Sequence, residues 1–257
     1  MVQDVIRILA LLSLAPLFLF QGRRVRATTP SLPEPEGRRE GTQGQGEPHR
    51  LLILGDSAAA GVGVDWQDEA LSGRLVAELA PCCRVHWRLE ARNGRRVGDV
   101  LAGVGLPPKD HFHTIVISLG VNDVTAGTPV GRWGNQMEQL FSVLRQRYRP
   151  QRILMTAVPP MSRFPALPQP LRWYLGSRAA AMNRQLARRL DGQDLVELVE
   201  VPFTPVSDAM AVDGFHPGRA GYMEWARELA SRIPVESAPT GERESADSGG
   251  TRATERQ

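Results

Sequence analysis

From Leu51 to Ile233 the chain alternates short apolar runs with longer amphipathic stretches, and this rhythm constrains its fold more than any other feature. Leu51–Leu54 is an unbroken apolar run, short enough for a strand and apolar enough to be buried on both faces. Gln67–Ala80 then places Leu71, Leu75, Val76 and Leu79 on one helical face. Arg84–Ala91 alternates Val85, Trp87, Leu89 and Ala91, as a strand does, and a short helix is expected over Gly98–Val104. Thr114–Leu119 is a β-branched strand; Gly131–Tyr148 is a helix through Trp133, Met137, Leu140, Phe141, Leu144 and Tyr148. Arg152–Ala157 and Leu195–Val201 read as strands, Leu171–Leu190 and Ala220–Ile233 as helices. Strands regularly separated by helices build a parallel sheet covered on both faces.

The flanks differ in composition. Residues 1–22 contain an apolar run from Ile8 to Phe20, interrupted only by Ser13 and Pro16. A full membrane span needs about 20 residues, so this run reads as a short membrane-associating segment. No good small-x-small cleavage site comes after it. Arg23, Arg24 and Arg26 outnumber Arg7 across the segment, which favours the cytoplasmic side for the domain; a periplasmic or exported protein is the alternative. Residues 23–49, rich in Pro, Gly, Glu, Arg and Gln, read as a flexible linker, residues 50–235 as the folded domain, and residues 236–257 as a disordered tail.

The formal charge is only +3, and nearly all the cations are scattered arginines, with Lys109 the single lysine. Nucleic-acid binding needs a clustered basic stripe and is unsupported. Cys82 and Cys83 are adjacent and cannot easily meet disulfide geometry. Metal-ligand spacings are absent, so no metal or cofactor is expected; His111 and His113 precede a strand and read as surface residues at the sheet edge away from the chemistry.

In a parallel α/β sheet, sites form beyond the carboxyl ends of the strands. Gly55-Asp56-Ser57 follows the first strand, Asn93-Gly94 the second, Gly120-Val121-Asn122-Asp123 the third, and Asp213-Gly214-Phe215-His216 the fifth. Each alone is an ordinary turn or helix start. Topology brings Ser57, Gly94, Asn122 and His216 to one rim, and that convergence points to an activated serine. Ser57 is the candidate nucleophile, His216 its general base, and Asp213 the acid that orients His216. The Ser57 and Gly94 backbone N–H groups and the Asn122 amide are candidate oxyanion donors, with Gly98 a competitor for Gly94. Gly55, Gly61 and Gly63 do not have dinucleotide or phosphate-loop spacing.

Across Leu51–Ile233 these four blocks, in this order, resemble the SGNH hydrolase (GDSL esterase/lipase) superfamily, nearest its small bacterial thioesterase/lysophospholipase branch. The resemblance implies a three-layer α/β/α fold, flavodoxin-like, around a mostly parallel five-stranded sheet. It implies Ser57, Asp213 and His216 as the triad, Ser57, Gly94 and Asn122 as the oxyanion hole, and no cofactor. Ala58 departs from the pattern, standing where the name-giving leucine sits. The expected activity is hydrolysis of carboxylic esters or thioesters, including lipid or lysophospholipid acyl esters, through an acyl-enzyme. Deacetylation or acyl transfer on cell-envelope polysaccharide is the alternative, and a silent membrane-anchored binding module the alternative of another class. Met161, Phe164 and Leu167, after the fourth strand, either line an acyl groove or pack their loop down. The sequence assigns no oligomeric state.

Overall fold

The computed structural model describes residues 2–103, 106–201 and 209–234. Its centre is the run Leu51–Leu54, fully buried within β2 (Pro48–Gly55). Side chains alternate across a strand, so Leu52 and Leu54 enter one core and Leu51 and Ile53 the other. β3 (Arg84–Ala91) and β4 (Thr114–Ser118) pair in parallel with β2 on its two sides, and β5 (Arg152–Thr156) and β6 (Val196–Val199) extend the parallel sheet. Numbered by themselves, the parallel strands run 2-1-3-4-5, the flavodoxin-like order, and the winding reverses between β2 and β4.

Helices cover both faces as their apolar spacing predicts. α6 (Val130–Tyr148) and α7 (Leu171–Leu190) bury Trp133, Met137, Leu140, Leu175, Met182 and Leu186 in the first core. α3 (Leu71–Leu79) and α8 (Arg219–Ala230) bury Leu71, Leu75, Tyr222, Trp225 and Leu229 in the second. The helix expected over Gly98–Val104 forms as α4 (Val97–Leu101). α2 (Ser57–Ala60) and α5 (Val121–Thr125) are single turns at the carboxyl ends of β2 and β4.

The sheet has six strands rather than five. The additional one, β1 (Glu40–Gln43), lies within the segment read as a flexible linker and pairs antiparallel with β3. Composition hid it because an edge strand needs backbone partners rather than an apolar face. Its side chains add a bond between Thr42 Oγ1 and His86 Nδ1 (2.8 Å) and a Glu40–Arg88 ion pair (3.7 Å). The N-terminal apolar run belongs to a longer helix, α1 (Val2–Thr28), which also takes the first residues of that segment. Phe18 stacks on Tyr174 of α7 with ring centroids 4.7 Å apart. The Gln21 amide donates to Gln169 O (2.7 Å) and accepts from Leu171 N–H (3.1 Å). Among the described residues no helix is long and apolar enough to cross a membrane. The segment 236–257, read as a tail, lies outside the described residues.

At the amino end of the sheet, His113 is half-buried rather than a surface residue: its ring meets those of His111 and His49 at 4.9 and 5.3 Å. His113 Nδ1 accepts the Arg50 N–H (2.8 Å), and His49 Nε2 shares a hydrogen bond with Thr114 Oγ1 (3.0 Å). Burial, then the neighbouring His113, lowers the pKa of His49 from 6.5 to about 4. The unfolded chain therefore takes up this proton at higher pH than the native protein. The stability due to neutral His49 is complete above pH 6.5 and is lost as pH falls toward 4. The loss is on the order of 3 kcal/mol. Asp56, with its pKa raised from 3.8 to about 7, acts in the opposite direction across the whole of that window. The His49 contribution is thus a difference: urea midpoints of the wild type should fall relative to His49→Gln as pH drops from 6.5 to 4. Parallel pH profiles would refute it.

Candidate active site

The site begins where β2 ends. Gly55 pairs with Ser118 of β4, and a Cβ on Gly55 would stand 2.5 Å from both Ser118 O and the Ala59 methyl group. Only glycine lets α2 lie so close to the sheet edge. Asp56 caps this turn, its Oδ1 accepting the Ala58 N–H (3.2 Å) while its own N–H donates to Ser118 O (3.0 Å). Gly61, at φ +96°, closes the turn by donating to Ser57 O (3.1 Å). Ser57 is thereby held at the first position of α2, 8% exposed, beside the reversal point of the sheet.

His216 arrives on the loop before α8. Its Nε2 is 2.9 Å from Ser57 Oγ and its Nδ1 2.6 Å from Asp213 Oδ2. Asp213 Oδ1 accepts the Phe215 and His216 N–H groups (2.9 and 3.0 Å), so this carboxylate is oriented by its own loop. Burial by itself would raise the Asp213 pKa; the bonds from the His216 ring and the two backbone N–H groups outweigh it, and the net shift is downward. An ionised Asp213 only accepts, so Nδ1 carries the imidazole proton and Nε2 is left to accept the Ser57 hydroxyl proton.

Arg92 N–H donates to Gly55 O (3.2 Å), which sets the turn after β3 beside the serine. Arg95 N–H closes on Arg92 O (3.3 Å), and Gly94 takes φ +79°. A positive φ at the third residue alone defines a type II turn, which favours glycine. The Gly94 N–H has no partner among the described residues, nor has the Ser57 N–H. Asn122, at the start of α5, uses one amide hydrogen on Arg95 O (3.0 Å), leaving its other for a ligand. Its neighbour Asp123 accepts from Val97 N–H and Thr128 Oγ1, both at 3.2 Å. Gly98 instead sits on α4 facing Gln136 of α6, in a separate polar hollow.

A cavity of about 410 Å³ opens beside Ser57 and His216, walled by Val158, Pro159, Phe164, Phe215 and Trp225 among others. Asp213, Gly94 and Asn122 are not part of its lining. Met161, Phe164 and Leu167 are all buried in the core, so they pack their loop down, and of the three only Phe164 also lines the cavity. Asn183 fixes one wall by accepting the Val158 N–H (2.9 Å) and donating to Val158 O (2.8 Å).

Asp56 has a part that turn chemistry did not reveal. It is 1% exposed, and burial raises its pKa from 3.8 to about 7, with the Asp123 charge adding to the rise and the Ala58 N–H and His216 opposing it. Its position between a buried strand and the serine was the available sequence signal. Asn183, mid-helix in α7, offered none.

The model of the GDSL-like lipase/acylhydrolase family matches residues 53–223, and the chain belongs to that family, within the SGNH superfamily. The family match makes the chain an ester-hydrolysing enzyme. Among solved structures it is similar to the lipase Lip_vut3 from goat rumen metagenome (17% identity, 71% of this chain and 96% of that one, TM-score 0.58). It is also similar to a lipase/acylhydrolase from Enterococcus faecalis (18% identity, 74% and 100%, TM-score 0.55). A third is Axe2, an acetylxylan esterase from Geobacillus stearothermophilus (18% identity, 75% and 96%, TM-score 0.54). At these identities the likeness shows the fold. No curated protein sequence matches the chain.

The choice between glycines is testable. Proline cannot adopt φ +79° and has no N–H, so Gly94→Pro should abolish most esterase activity. Gly98→Ala should keep activity and raise stability by about 0.5–1 kcal/mol, because its Cβ meets only the end of the Gln136 side chain. Initial rates and thermal midpoints of both variants decide it; the reverse order would make Gly98 the donor.

Proposed function

We propose that this enzyme hydrolyses carboxylic esters through an acyl-enzyme on Ser57. The observation that carries the reading is the continuous row from Ser57 Oγ to His216 Nε2 (2.9 Å) and from His216 Nδ1 to Asp213 Oδ2 (2.6 Å). Ser57 Oγ attacks the carbonyl carbon as its proton passes to His216 Nε2. The new oxyanion is held by the Ser57 and Gly94 N–H groups and the free Asn122 amide hydrogen. Collapse expels the alcohol or thiol, which takes the proton from His216. Water, deprotonated by His216, then attacks the acyl group, releasing the acid and restoring Ser57.

The apolar part of the cavity wall, with Val158, Phe164 and Phe215, supports an acyl chain as its occupant. This favours lipid-type acyl esters. The exposed Leu19 and Phe20 of α1, beside Arg23, Arg24 and Arg26, support a peripheral association with a bilayer surface.

Ser57→Ala and His216→Ala should each lower kcat by on the order of 10³-fold or more with the fold intact, and the double variant should lose little beyond either single one. Hydrolysis of a p-nitrophenyl ester chain-length series and labelling of Ser57 by a fluorophosphonate provide the measurements. Active single variants or an unlabelled wild type would sink the proposal. Asn122→Ala should lower kcat about 10²–10³-fold at nearly constant KM. A change confined to KM would move Asn122 from the oxyanion to substrate binding.

A further inference from the structure

The segment before β2, which composition marks as a linker, reaches the oxyanion turn. Glu34 Oε1 accepts the Asn93 N–H at 2.7 Å, while its Oε2 pairs with Arg39 Nη1 at 3.0 Å. Arg39 also donates through Nη2 to Ala91 O, and its carbonyl accepts the Leu89 N–H (2.7 Å), which ties it to the end of β3. On the other side the same segment is stitched to the loop after α2. Glu36 N–H donates to Asp65 O (3.0 Å) and Glu36 O accepts from Gln67 N–H (2.8 Å). Buried Pro35 packs so closely on Gly61 that a Cβ there would lie 2.7 Å from Pro35 Cγ. Residues 34–39 therefore bridge the two backbone elements that present the Ser57 and Gly94 N–H groups.

The turn itself is held at its two ends, by Arg92 N–H on Gly55 O and by Asn122 Nδ2 on Arg95 O. Among the described residues its tip, Asn93-Gly94, has only the Glu34 carboxylate. The Asn93 N–H belongs to the peptide that enters the turn, so the Glu34 bond fixes where the tip, and with it the Gly94 N–H, stands beside residues 34–39. The tip is exposed, and a Cβ on Gly94 would meet nothing within 4 Å, so packing does not hold it in place.

We infer that Glu34 is a positioning residue for ester hydrolysis: by holding the Asn93 N–H it keeps the tip of the turn, and with it the Gly94 N–H, in place for the oxyanion. The inference rests on the proposed acyl-enzyme mechanism with Gly94 as a donor. Glu34 touches no reacting atom, and its effect passes through the turn alone.

The test uses full-length protein. Glu34→Ala should lower kcat on a soluble p-nitrophenyl ester roughly 10-fold or more, below the full loss for a deleted oxyanion donor, with KM within about 2-fold. Affinity for an alkyl boronic acid, whose serine adduct places an anionic oxygen in the same hole, should fall in step with kcat. Glu34→Gln keeps an acceptor for the Asn93 N–H and should recover most of the rate. In a Gly94→Pro background, Glu34→Ala should add no further loss. Unchanged kcat in Glu34→Ala would overturn the inference, as would a loss that glutamine does not rescue or that persists undiminished beside Gly94→Pro. Failure of the underlying mechanism is distinguished because the wild type itself would then not be labelled at Ser57 by a fluorophosphonate.

Discussion

The arrangement depends on a close approach at the end of β2, where Gly55 leaves no room for a side chain against Ser118 O and Ala59. Two parallel strands end together there, and α2 rests directly on them. Because β2 is buried on both faces by fully covered leucine and isoleucine, its end cannot shift without disturbing two cores. The rigidity of the sheet is thus passed to Ser57 through two residues. A side chain at position 55 would lift α2 and take both the hydroxyl and its backbone N–H out of line.

Around that fixed point, hydrogen bonds are distributed so that selected donors stay free. The Asn93 and Arg95 N–H groups are used on Glu34 and Arg92, and one hydrogen of the Asn122 amide on Arg95 O. The Gly94 and Ser57 N–H groups have no partner among the described residues. Donors left unpaired at an accessible rim are available to a developing negative charge, whereas their bonded neighbours hold them in direction. The carboxylates are separated in the same manner. Asp213, accepting from the His216 ring and two backbone N–H groups, is held ionised, while Asp56, buried with one weak backbone partner, is pushed up to about 7. A charge placed on the far side of His216 orients the ring without competing for the serine proton.

The alternation of apolar runs and amphipathic stretches was sufficient to place five strands, their covering helices and the rim where Ser57, Gly94, Asn122 and His216 meet, because burial on two faces and crossover handedness leave few ways to wind such a chain. The family of ester hydrolases emerged from four blocks in order, and the family match over residues 53–223 agrees with it. Periodicity says nothing, however, about strands that bury no apolar face. β1 is therefore invisible in Glu40–Gln43, and so is the strap from Glu34 to Arg39, whose contacts are mostly polar and made with residues distant in the chain.

What only the tertiary structure decided are matters of direction and distance. The serine–imidazole–carboxylate spacing joins residues 159 positions apart. Gly94 and Gly98 look equivalent on a short glycine-bearing stretch, yet one occupies the tip of a left-handed turn and the other a helix facing Gln136. Met161 and Leu167 had equal claims to groove and core until the loop closed over them, and burial chose the core. The end of the apolar N-terminal run meets the domain at Phe18, and Gln21 just beyond it, because Tyr174 and the Gln169–Leu171 backbone offer them partners. Sequence determines which residues must be buried and at which ends of the sheet the loops emerge; the direction of each N–H and the partner of each carboxylate arise only when elements distant in the chain pack together.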